Sequence, residues 1–165
     1  MNHQLKCSSV RVRDIVGACI QDFAPLGANR LLAVSTDALL SVYEFSLVNH
    51  NYGLVGEPVQ LEMSPKEVVT SLAACNLGRY LAVATKVSRN SGFSLGRILL
   101  FKHEDEEISL LSAFDFRKTP FSKKPESQIK SISLHYYHGD YPLILANQVL
   151  GGSLLFSLTF DGKSL

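Results

Sequence analysis

The stretch His135-Tyr136-Tyr137-His138-Gly139-Asp140 sets two imidazoles three residues apart with a carboxylate close behind. Those are residue types that hold a transition metal when they converge, so a metal centre would draw on His135, His138 and Asp140. A second stretch, "FRKTPFSKKPE", interleaves Arg117, Lys118, Lys123 and Lys124 with Phe116 and Phe121. Cations that hold phosphates beside rings that stack on bases are the chemistry of single-stranded nucleic-acid binding. Each stretch also has a plainer reading. The histidines fall at a strand end and turn, with no second ligand pair nearby in sequence, and the basic run, broken by Pro120 and Pro125, reads as a solvated linker. The acidic "HEDEE" reads as a solvated turn that could dock a basic partner. HExxH, GxxxxGK[ST] and a helix-opening GxGxxG are absent from the sequence. The expectation is a protein that is not an enzyme and carries no metal and no cofactor.

Whatever binds must be positioned by a packed core, and composition allows one. The 165 residues are 46% hydrophobic and 19% charged, enough apolar material for one globular unit. Sixteen basic against fifteen acidic side chains leave a formal charge of +1, so any polyanion site has to be a local patch. Charges at Lys6, Arg11, Arg13 and Asp14 interrupt the start where a secretion signal needs an apolar core, and the apolar runs fall short of a membrane span. Cys7, Cys19 and Cys75 are odd in number and widely spaced, which suits a reducing nucleus or cytoplasm.

The apolar runs alternate with period two or are short and continuous, and no helical stripe is evident. Strands are expected at Ala18–Ile20, Leu31–Val34 and Leu40–Tyr43, with turns at "APLGAN" and "STDA" and a fourth strand within "YGLVGEPVQLEM". A second set is expected at Val69–Ala73, Tyr80–Ala84, Arg97–Phe101 and Ile108–Phe114, and a third at Lys130–Leu134, Pro142–Leu145, Ser153–Phe156 and Leu158–Phe160. The third strands end at Phe45, Phe101 and Phe156, 56 and 55 residues apart. A four-strand syntax repeated at this interval is that of β-propeller blades. The expected fold is all-β and propeller-like: one domain over residues 1–165, with blade 1 at about 10–62, blade 2 at about 66–116 and blade 3 at about 127–162.

Closed propellers have about four to eight blades, so three leave an incomplete ring. More chain, a partner or self-association is expected to complete it, because bare strand edges pair with other strands. The long polar connections at Lys86–Leu95 and Ala113–Gln128 are the expected contact loops, with Lys86, Arg89, Asn90 and Phe93 as candidate partner-binding residues.

Ser71-Leu72, Cys75-Asn76-Leu77-Gly78, Val83-Ala84-Thr85 and Gly96-Arg97-Ile98-Leu99-Leu100-Phe101, followed by "YPLILANQVLGGSLLFSL", resemble a known propeller family over Val68 to Leu158. That family comprises the large subunit of damaged-DNA-binding protein, the largest subunit of the cleavage and polyadenylation specificity factor, and a related splicing-factor subunit. The resemblance implies a nuclear scaffold that holds proteins of a multi-subunit complex, in ubiquitin ligation and DNA repair, splicing or mRNA 3′-end processing, with RNA or DNA nearby. A generic WD-type propeller segment of a trafficking or signalling assembly is the alternative, as is direct nucleic-acid binding through residues 116–124.

Overall fold

The computed structural model describes residues 11–12, 19–75, 77–89, 92–115, 129–136, 142–148 and 152–157. All regular structure among them is β. Blade 1 contains β2 (Ile20–Leu26), β3 (Arg30–Ser35), β4 (Leu39–Ser46) and β5 (Asn51–Gln60), with β1 (Arg11–Val12) outside β5. Blade 2 contains β6 (Glu67–Ala74), β7 (Tyr80–Arg89), β8 (Gly92–Glu104) and β9 (Glu107–Asp115). Blade 3 contains β10 (Ile129–Tyr136), β11 (Pro142–Gln148) and β12 (Ser153–Ser157). Consecutive strands pair antiparallel in every blade, while β1 joins β5 in parallel.

Stacking of the sheets explains the apolar runs. Ala24, Leu32, Val34, Leu40 and Val42 of blade 1 pack against Val69, Leu72, Leu81, Val83, Leu99 and Phe101 of blade 2. On the other face of blade 2, Ala73, Ala82, Ala84, Ile98 and Leu100 pack against Ile132, Leu134, Ile144 and Ala146 of blade 3. Blade 2 is therefore covered on both faces, and "RILLF" is continuous because Leu99 and Phe101 meet one neighbour while Ile98 and Leu100 meet the other. Each such buried aliphatic side chain contributes about 1.5–3 kcal/mol.

The inner strands β2, β6 and β10 share one irregularity. Register slips between Ile20 and Asp22, between Val69 and Ser71, and between Ile129 and Ser131, a β-bulge at the same place in each blade. The residue after the bulge faces the next blade. Asp22 Oδ2 accepts the Leu72 amide at 2.9 Å, and Ser71 Oγ accepts the Ile132 amide at 3.1 Å. This repeated latch sets each inner strand against the one before it.

The architecture is the expected all-β propeller arc, and among the described residues it forms no closed ring. Several boundaries differ. The first blade-1 strand runs Ile20–Leu26 rather than Ala18–Ile20, and the turn occupies only residues 27–29. Pro25 is tolerated inside β2 because that strand pairs on one edge alone and needs no amide on the other. Residues 86–95 are a hairpin, not a loop: Lys86 pairs with Leu95, Val87 with Ser94, Ser88 with Phe93 and Arg89 with Gly92. The strand expected at Leu158–Phe160 lies outside the described residues.

Candidate functional site

The most constrained polar assembly sits at the base of that hairpin. A second bulge, at Thr85 between Ala84 and Lys86, turns the Thr85 hydroxyl toward β6 and β8. It donates to Glu67 Oε1 at 2.5 Å and accepts the Arg97 amide at 2.7 Å. Arg97 grips the same carboxylate with Nε to Oε1 and Nη2 to Oε2, both at 2.9 Å, and reaches the Glu62 carbonyl at 2.6 Å. The Ser64 amide adds 2.8 Å to Oε2. Only glycine fits at position 96, because a Cβ there would lie 2.7 Å from the Thr85 carbonyl carbon and oxygen and closer still to its hydroxyl.

Burial pushes the Glu67 carboxyl upward, but hydrogen bonds from Arg97, Thr85 and the Ser64 amide, with the Arg97 charge, hold it below the ordinary value of 4.5. The carboxylate is fully enclosed and met by donors on both oxygens. It has no exposed lone pair with which to take a proton from a substrate, so its chemistry is that of a clamp. What it clamps is the hairpin. Beyond it the Ser88 amide donates to the Lys66 carbonyl at 2.8 Å, and the arm continues past the first residue of β6 to the Arg89–Gly92 pair.

The outer edge of blade 2 is fixed to blade 1. The Asp105-Glu106 turn packs on Gly56, where a Cβ would lie 2.5 Å from the Glu106 carbonyl oxygen, and Glu106 reaches Arg30 at 3.5 Å. Arg30 also pairs with Glu44 at 2.9 Å. The acidic run thus meets a cation of its own neighbouring blade. Where the inner strands converge, a cleft of about 700 Å³ is lined by Phe23, Pro25, Leu72, Ile132, Leu134 and His135.

Of the residues singled out by sequence, His135 is exposed on β10 at this cleft, whereas His138 and Asp140 lie outside the described residues. Among the described residues no three His, Cys, Asp or Glu side chains converge as metal ligands. Phe116, Arg117, Lys118, Phe121, Lys123 and Lys124 all lie outside the described residues, as does Asn90. Lys86 is half-buried at the hairpin base, and the backbones of Arg89 and Phe93 lie on its two arms. Sequence reasoning missed Glu67 and its link to Arg97. The available signal was an acidic residue opening one apolar strand and a Gly-Arg pair opening another, but only the β6-β7-β8 order brings the two together.

No protein-family model and no curated protein sequence matches the chain. Among solved structures, the chain is similar to the β-propeller domain of Cps50 (Swd1) from Myceliophteria thermophila, with a TM-score of 0.56 and 16% identity over 85% of this chain. The aligned part spans 38% of that domain, so the chain corresponds to well under half of it. At this identity the likeness shows the fold, a propeller arc.

Proposed function

We propose that the chain is a non-enzymatic protein-interaction scaffold, and that the Lys86–Leu95 hairpin is its principal contact. The observation that carries this reading is the buried Glu67–Arg97–Thr85 clamp, which spends a desolvated ion pair on holding the base of a projecting arm. A rigid mount under a variable segment is how propellers and similar scaffolds present binding residues. The family resemblance over Val68 to Leu158 suggests a nuclear assembly of the ubiquitin-ligase, splicing or 3′-end-processing kind as the setting.

The test is to replace residues 87–94 with a two-residue Asn-Gly turn between Lys86 and Leu95, which leaves the clamp in place. The variant is expected to melt close to the parent and to lose a protein that co-purifies with it from cells. Undiminished recovery of that protein would overturn the assignment of the hairpin.

A further inference from the structure

At one rung of its outer face, blade 3 presents polar groups where blades 1 and 2 present aliphatic ones. The rungs of the three sheets can be aligned through their bulges. In blade 1 one rung runs Asp22–Val34–Leu40, and in blade 2 the same rung runs Ser71–Ala84–Ile98. In blade 3 it runs Ser131–Asn147–Ser153. Where the first two blades offer Val34 with Leu40 and Ala84 with Ile98 to the next sheet, blade 3 offers an amide and a hydroxyl. The next rung has Ser133 at its inner end, where blades 1 and 2 have Ala24 and Ala73, and is aliphatic again at Leu145.

These polar groups are bonded to one another. Ser153 Oγ donates to Asn147 Oδ1 at 2.9 Å, and Asn147 Nδ2 donates to Ser131 Oγ at 3.2 Å. Ser131 holds the position from which Asp22 and Ser71 accept the following blade's amide, and here the acceptor is used within the blade itself. The opposite end of the arc is closed by other means. The Phe23 amide, equivalent to those of Leu72 and Ile132, is met by its own neighbour Asp22 Oδ1 at 2.9 Å. On the blade 1 face turned away from blade 2, Ala33, Ser41 and Tyr43 are 2%, 3% and 1% exposed, already covered within the chain.

We propose that blade 3 is the terminal blade of this arc, its Ser131–Asn147–Ser153 ladder a polar cap that faces water instead of seating another sheet. Stacked-repeat proteins end in units with a polar outer face, and this ladder is such an end. The faces keep this character whatever polypeptide lies before or after these residues. It moves protein partners away from ring completion and onto the hairpin and the axial cleft, where Phe23 is 63% exposed.

Sedimentation velocity across a wide concentration range decides it. The parent chain is expected to sediment as an 18.2 kDa monomer. The double variant Asn147→Ala with Ser153→Ile, which copies the blade 2 rung, is expected to self-associate while keeping a cooperative melt. A parent chain whose self-association is abolished by Leu145→Lys, at the centre of the capped face, would overturn the proposal. So would a folded double variant that stays monomeric, since the ladder would then not be what keeps the face in water. Neither result depends on the hairpin, whose partner is read by co-purification.

Discussion

In blade 2, the Glu67 carboxylate lies inside the fold and is met by Thr85 of β7 and by the Arg97 guanidinium of β8, itself 17% exposed. In blade 3, the polar groups are uncharged, sit on a face that no other sheet covers among the described residues, and bond mainly along one rung. Burying a charge is costly unless its geometry is fully arranged, whereas a hydroxyl or amide at a surface can exchange its partner for water at little cost. Polar side chains in the same kind of sheet therefore act as a lock in one blade and as a boundary in the other.

The largest effect should come from breaking the lock on one side. Arg97→Met leaves the Glu67 carboxylate enclosed without its counter-charge, and a loss of about 3–5 kcal/mol is expected in chemical denaturation. Replacing both partners, as Glu67→Leu with Arg97→Met, should recover much of that loss, which a double-mutant cycle measures. Next comes Gly96→Ala, where the added methyl meets the Thr85 backbone, and about 1–3 kcal/mol should be lost to overpacking. A Gly96→Ala chain as stable as its parent would mean that β7 and β8 can separate there freely.

Acid sharpens the same contrast. The folded Glu67 carboxyl lies below 4.5, its ordinary and unfolded value, so its contribution is complete above that pH and is lost as pH falls through the folded value. The denaturation midpoint should decline below about pH 4.5 in the parent, and the part due to Glu67 should be missing from the Glu67→Leu/Arg97→Met chain. The smallest effect is expected in blade 3: Asn147→Ala breaks both bonds of the cap ladder yet should shift stability within about 0.5 kcal/mol, because water replaces them.

The same contrast decides what the sequence makes legible. Strands covered on both faces announce themselves as continuous apolar runs, and "LLAVS", "YLAVAT" and "RILLF" all place their elements well. The hairpin at residues 86–95 carries a period-two signal in Phe93-Ser94-Leu95, but its polar residues and Gly92 favour a loop reading. Glu67 and Arg97 are 30 residues apart, and no local pattern predicts their meeting. The cap ladder was hidden for another reason: serine and asparagine in a strand look ordinary until the shared bulge brings the three blades into register.

That β1 is parallel has a consequence for the order of assembly. Every other described pairing joins consecutive strands, so each sheet can zip up from short-range hairpins with little loop-closure entropy. β1 must wait for β5, whose first paired residue, Asn51, lies 40 residues beyond Arg11. It should therefore dock last on folding and detach first on unfolding, and the amides of Arg11 and Val12 should exchange with solvent well ahead of those in β7, where Leu81 to Thr85 are wholly buried.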